Sequence, residues 1–166
     1  EIEITDRDAL GFHVPGMFDK VINIDKCHLQ KNPSNSIRLS VKNFADNNNL
    51  TYFDIRNQNG LLRNLMIRTT STGELMVMVQ FFENDRENIE LLMNHIKCEF
   101  TEITSLLYVV NTKANNTFYD QKVICFNGKD HIVEEMDGLH FKIGAKSFFQ
   151  TNSEQAKILY RKTKEL

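Results

Sequence analysis

Phe148, Gln150 and Asn152 alternate along Lys146-Ser147-Phe148-Phe149-Gln150-Thr151-Asn152, a stretch that runs into a helix expected from about Ser153. On an extended backbone, residues two apart point to the same side. A flat ring beside two amides can stack a nucleobase or a cofactor ring and hydrogen-bond its edge. The N-terminus of the following helix adds unpaired N–H donors. Core packing and helix capping are the plainer reading of the same pattern, with Thr151 and Glu154 spaced as a capping box.

Arg63 and Arg68 bracket Asn64-Leu65-Met66-Ile67. On a strand, Arg63, Leu65 and Ile67 share one face and Arg68 takes the other. A guanidinium there can grip a phosphate or carboxylate through two parallel bonds. The same charges also serve to keep an edge strand soluble. Cys27 and His28 are adjacent, so on an extended backbone the His is badly placed to act as base for the Cys. Cys27 reads as a half-buried structural thiol, and Cys98 and Cys125 as core or surface filling. His13, His95, His131 and His140 show no H-x-x-x-H spacing and read as solvated or locally hydrogen-bonded. Glu134 and Glu135 alternate on a hairpin arm, where at most one points inward. A solvated edge, rather than an acid–base pair, is the expected role.

The sequence holds no G-x-G-x-x-G, no P-loop and no G-x-S-x-G elbow, so an autonomous enzyme is hard to build from it. Apolar residues make up 41% and charged residues 25% of the 166 positions, which suits one globular domain with a real core. A net charge of −2 argues against a strongly basic nucleic-acid surface, because phosphate binding needs clustered Lys and Arg. It leaves room for a module that shapes a substrate held mainly by its neighbours. No apolar run approaches a membrane span, so no membrane partner is expected. Cysteines that are odd in number and widely spaced make a poor disulfide framework and favour a reducing, cytoplasmic location. The acidic N-terminus lacks the basic start of a signal peptide.

The elements that must position these residues follow from periodicity and turn chemistry. A hairpin has Phe12-His13 and Val21-Ile22-Asn23-Ile24 as arms around Pro15-Gly16. A helix spans 33–45, with Pro33 in its first turn and Ile37, Val41 and Phe44 at helical spacing. A strand region begins at Phe53-Asp54-Ile55-Arg56 and breaks at Asn59-Gly60. Strands over 62–69 and 75–82 flank Thr70-Ser71-Thr72-Gly73-Glu74, a hairpin connection. Asn84 is expected to cap a helix with Glu87 as capping-box partner, and Ile89, Leu92, Met93 and Ile96 form its apolar face. A short buried strand over 106–110 precedes three more over 123–126, 132–136 and 139–143. Ala156, Leu159, Tyr160 and Thr163 line one face of the last helix, which shows no stop signal before Leu166. The expected class is α+β, a mostly antiparallel or mixed sheet packed with two to three helices.

Four segments in order resemble the bacterial 23S rRNA (uracil-5-)-methyltransferases. They are Ala9-Leu10-Gly11-Phe12-His13-Val14-Pro15-Gly16, then Val21-Ile22-Asn23-Ile24-Asp25-Lys26-Cys27, then Gly60-Leu61-Leu62-Arg63-Asn64-Leu65-Met66-Ile67-Arg68. The fourth is Ser147-Phe148-Phe149-Gln150-Thr151-Asn152 with Ala156, Leu159 and Tyr160. The resemblance covers nearly the whole chain. It implies a central α+β domain over 1–150, with its N-terminal part missing, and over 151–166 the entry helix of an absent Rossmann-like catalytic domain. It implies 23S rRNA as partner and S-adenosylmethionine as cofactor, with methylation at carbon 5 of a uridine.

By the same resemblance, Gln150 contacts S-adenosylmethionine, Phe148 packs at the target uracil, Asn152 stands beside them, and Arg63, taken as substrate-binding, lies with Arg68 in a motif that is substrate-side or structural. Cys27 matches one ligand of the family's 4Fe–4S cluster, whose other three thiolates belong to a C-x5-C-G-G-C pattern that this chain lacks. No catalytic residue falls within the chain: the nucleophilic Cys, its base and the glycine-rich cofactor loop are expected beyond Leu166, and the piece alone is expected to be inactive. A missing strand before Ala9 would leave a sheet edge open to self-association. The alternative from another class is a stand-alone α+β binding or adaptor module. A third is a thiol enzyme using Cys27.

Overall fold

The computed structural model describes residues 3–5, 9–150 and 152–165. The described residues form nine strands and three helices in an α+β arrangement. The central strand explains the layering. Strand β5 (Leu75–Phe81) is buried along its entire length. Its odd-numbered residues Leu75, Val77, Val79 and Phe81 enter one apolar cluster, and Met76 and Met78 enter another. A strand buried on both faces reads as a near-continuous apolar run, as this one does apart from the buried Gln80.

The first cluster is covered by helices α1 (Ser34–Asn47) and α2 (Arg86–Glu99), which contribute Ile37, Val41, Ile89, Leu92, Met93 and Ile96. α2 carries the crossover from β5 to β6 (Ser105–Val110), so these two strands pair in parallel. β4 (Leu62–Thr69) joins β5 antiparallel through the Thr70–Glu74 turn, and β7 (Ile124–Gly128) closes the order β4-β5-β6-β7. The second cluster is covered by the hairpin β8 (His131–Met136) and β9 (Leu139–Gly144), through Ile132 and Ile143. Helix α3 (Ser153–Glu165) follows.

A separate sheet has the order β1-β3-β2, from β1 (Glu3–Thr5), β2 (Phe12–Val14) and β3 (Met17–Asn23). A strand therefore does precede Ala9. It pairs antiparallel with β3, Glu3 opposite Asn23, which corrects the expectation of a missing partner there. β1 and β2 are the outer strands of this sheet among the described residues.

Two local expectations also change. The strand expected from Phe53 is a tight turn, bounded by bridges between Tyr52 and Leu62 and between Asp54 and Asn59. The Asp54 carboxylate accepts from Arg56 N at 2.8 Å and Asn57 N at 3.0 Å, and this local bonding outcompetes a sheet ladder. The cap of α2 is Asp85 rather than Asn84: its side chain accepts from Asn88 N at 3.2 Å and Asn88 Nδ2 at 2.7 Å. Glu87 stands in the first turn, where its charge suits the helix dipole, without the expected capping-box role.

Candidate functional site

The Phe148–Asn152 segment leaves β9 through a turn that two groups hold. Ser147 Oγ accepts from Gly144 N at 3.0 Å. Arg68 Nη1 donates to the carbonyls of Gly144 at 2.9 Å and Ser147 at 3.0 Å. Beyond it the burial alternates: Phe149 packs against the second apolar cluster, while Phe148 stands 83% exposed and Gln150 is exposed. Asn152 is exposed too, but its Oδ1 accepts from Gln155 N at 3.1 Å, so it serves α3 as a cap. Thr151, the expected capping-box residue, lies outside the described residues.

Glu134 was expected at a solvated edge. It is 1% exposed. Its carboxylate accepts from Ser71 N at 3.1 Å, Glu135 N at 3.2 Å and Ser153 Oγ at 3.0 Å, and from Ser71 Oγ as well. A buried carboxylate costs several kcal/mol unless hydrogen-bonded, and these donors offset that cost. They also tie the β4–β5 turn, β8 and the first residue of α3 to one point. The signal for this was alternation: Glu134 shares a face with Ile132, which is buried. Glu135 is exposed, so the two carboxylates do not form a pair.

Arg63 is placed elsewhere. It lies five residues from Arg68 along β4, about 17 Å at strand rise. Its Nη1 donates to the carbonyls of Asn111 at 2.8 Å and Lys113 at 2.5 Å, and its Nε to Asn116 Oδ1 at 3.1 Å. The guanidinium lies over the Phe53 ring at 4.4 Å and near Phe82 at 5.6 Å. Burial lowers the pKa of both arginines. In the fold both guanidiniums, on the outer strand β4, bind backbone carbonyls. Arg63 also borders a groove of about 800 Å³ shared by Phe12, Phe18, Tyr52, Arg56 and Asn64. A smaller hollow of about 410 Å³ lies beside Gly144–Ser147, lined also by Leu107, Val123 and Cys125.

Cys27 sits half-buried in the loop between β3 and α1. Asn35 clamps it from both sides: Cys27 N donates to Asn35 Oδ1 at 2.8 Å, and Asn35 Nδ2 donates to Cys27 O at 3.0 Å. Cys98 and Cys125 are exposed on α2 and β7. An iron–sulfur cluster needs about four thiolates. Among the described residues no group of three or more His, Cys, Asp or Glu side chains could hold a metal ion, so these residues do not fit a complete cluster site. Burial, with the Asp130 carboxylate adding to it, pushes the Cys125 thiol up, opposite to what a nucleophile needs.

Ser40, His95 and Glu99 gather between α1 and α2. His95 Nε2 meets Ser40 Oγ at 2.8 Å and Glu99 Oε2 at 2.9 Å. In a catalytic triad the acid orients the other ring nitrogen. Here both partners share one nitrogen, and the cluster is a tie between helices.

No protein-family model matches the chain. A protein of Porphyromonas gingivalis described as an uncharacterized RNA methyltransferase is 55% identical over 161 residues, 96% of this chain and 35% of that protein. One of Bacteroides thetaiotaomicron with the same description is 49% identical over 168 residues, 99% of this chain and 37% of that protein. The chain is similar along nearly its whole length to RNA methyltransferases. It spans about a third of the length of these relatives. Among solved structures, the Pyrococcus abyssi tRNA (uracil-54, C5)-methyltransferase in complex with S-adenosyl-L-homocysteine matches with a TM-score of 0.71 and 28% identity, over 88% of this chain and 35% of that one. The α+β fold, with its mixed sheet and three described helices, is thus one found within an RNA methyltransferase.

Proposed function

We propose that this chain is part of an S-adenosylmethionine-dependent methyltransferase that acts on carbon 5 of a uridine in RNA, with 23S rRNA as the substrate. The likeness to a uracil-C5 methyltransferase over 88% of the chain carries the reading. The choice of 23S rRNA rests on the ordered motifs; the solved neighbour's own substrate is tRNA. Residues 1–150 are read as a central domain and 151–166 as the entry helix of a catalytic domain. Supporting this, α3 buries only Ala156 and leaves the large apolar side chains of Ile158, Leu159 and Tyr160 about half-exposed, apolar surface suited to further protein.

In this reading Gln150 offers one acceptor and two donors to the polar part of S-adenosylmethionine, which supplies the methyl group when bound. Phe148 lies against the target uracil, flipped from its stack, with Asn152 beside it and Arg63 on the substrate side. The exposed ring and amide fit one wall of such a pocket. The nucleophilic Cys and the proton-abstracting base are assigned to parts of the protein outside these residues. Cys27 would supply one thiolate of a cluster whose other three come from elsewhere. A cytoplasmic location is part of this reading, in keeping with three widely spaced cysteines.

The test is methyl transfer from labelled S-adenosylmethionine by the full-length protein, with rRNA and tRNA offered separately. Label on rRNA uridine carbon 5 supports the whole reading. Label on tRNA alone keeps the reaction and overturns the 23S assignment. No transfer to either RNA favours the stand-alone binding module.

A further inference from the structure

Two exposed aromatic rings stand on neighbouring segments that are distant in sequence. Tyr119, in the loop between β6 and β7, is 66% exposed. Its ring lies parallel on Phe118, 3° between planes and 5.7 Å between centroids, so one face is held and the rest is presented to solvent. Phe148 is the most exposed ring of the candidate site. Their chain neighbours, Phe118 and Phe149, both pack against the same apolar cluster. The two segments are also bonded, since Lys146 Nζ donates to Gln121 O at 2.7 Å. Arg68 donates to Ser147 O at 3.0 Å and so holds the backbone next to Phe148.

We propose that Tyr119 and Phe148 form one stacking platform for unpaired nucleobases of an RNA single strand, with Lys146 directed at the adjoining phosphate. The assignment rests on the RNA methyltransferase reading and extends it to the nucleotide flanking the target. The chemistry favours nucleobases. Both rings are large, rigid π-faces, and the loop around Tyr119 is Asn111-Thr112-Lys113-Ala114-Asn115-Asn116-Thr117, polar rather than apolar. The Lys146 ammonium has three donors and spends one on Gln121, leaving two for phosphate oxygens. The platform is preorganised: Phe118 fixes Tyr119, and Arg63 fixes the loop through the carbonyls of Asn111 and Lys113. With a net charge of −2, affinity from stacking rather than from phosphate neutralisation suits the chain.

The experiment is fluorescence anisotropy of a labelled, uridine-rich single-stranded RNA and of the matching duplex, with the full-length protein at several salt concentrations. Tyr119→Ala and Tyr119→Leu are expected to weaken single-strand binding about ten-fold, the scale of one stacked base, with an unchanged salt slope and little effect on the duplex. Tyr119→Phe is expected to recover most of the lost affinity, and all variants to unfold at the wild-type midpoint. Unchanged affinity in Tyr119→Ala, while the wild type binds RNA and transfers methyl groups, overturns the platform and leaves the methyltransferase reading standing. Loss of affinity that Tyr119→Phe does not recover assigns the effect to the hydroxyl and overturns stacking. A wild-type protein that neither binds nor methylates RNA overturns both.

Discussion

Ser153 Oγ donates to the Glu134 carboxylate at 3.0 Å, fixing the first residue of α3 to the middle of β8. Gln150 and Phe148 lie just upstream of that anchor, and the turn held by Arg68 lies just before them. The segment that carries the candidate site is thus pinned at both ends, while its two outward side chains stay free of the core.

Glu134→Ala is expected to destabilise the fold by about 1–3 kcal/mol, because it leaves Ser71 N without its buried acceptor. Urea unfolding measures it. Limited proteolysis should show earlier cleavage near 150–153. A variant as stable and as resistant as the wild type would refute the anchoring role.

Arg68→Lys is expected to cost about 1 kcal/mol or more although it keeps the charge. Arg68 Nη1 puts its N–H groups on the Gly144 and Ser147 carbonyls from the end of a rigid plane, one bond further from the backbone than the ammonium of a flexible Lys reaches. Hydrogen exchange at Ser147, whose N–H donates to Gly144 O at 3.1 Å, should quicken. Equal exchange in both proteins counts against the clamp.

Much of the fold was legible because it was written locally. The seven-residue run Leu75–Phe81 fits a strand buried on both faces, and the Thr70–Glu74 turn sets its antiparallel partner. Ile89, Leu92, Met93 and Ile96 marked the buried face of α2. The outward alternation of Phe148 and Gln150 was legible too. What was missed depends on distant partners. Ser71 is far in sequence from Glu134, so the alternation with Ile132 marked an inward side chain but nothing local showed which donors it meets. For Arg63 and Arg68 the structural reading was open in the sequence, but the carbonyls they hold, as remote as those of Asn111 and Gly144, leave no mark near β4. The turn at Asp54 and the cap at Asp85 were lost to competition between neighbouring polar residues, which periodicity does not resolve.

Phe148→Ala should leave stability within about 0.5 kcal/mol, because the side chain is 83% exposed. The same change should lower methyl transfer to RNA in the full-length protein. Thermal unfolding beside single-turnover assays separates the two effects. A large loss of stability would mean that the ring packs rather than presents itself.

Acid should loosen the join between α3 and the β8–β9 turn. The Arg161 guanidinium beside Asp137 holds its carboxyl below the usual value of 3.8. A lowered folded-state pKa means that the stabilising effect is present above 3.8 and fades as pH falls toward the lowered value. Because both groups are exposed, salt should weaken it. Amide shifts of α3 followed by NMR between neutral pH and pH 3 should move in that window, and not in Arg161→Ala. Movement centred near neutrality would contradict the assignment.

Cys125 should alkylate more slowly with iodoacetamide near neutral pH than a free thiol does, despite its exposure. Its raised pKa leaves less thiolate there, and the rate should climb as pH rises. Fast neutral-pH labelling at Cys125, located by mass spectrometry, would mean an activated thiol.

The most direct measurement is the position of the methyl group that the full-length protein transfers from labelled S-adenosylmethionine to RNA, compared between wild type and Gln150→Ala. The account predicts label on carbon 5 of uridine and a rise in KM for S-adenosylmethionine in the variant. Methyl transfer to another atom, or a variant with unchanged KM and rate, would contradict it.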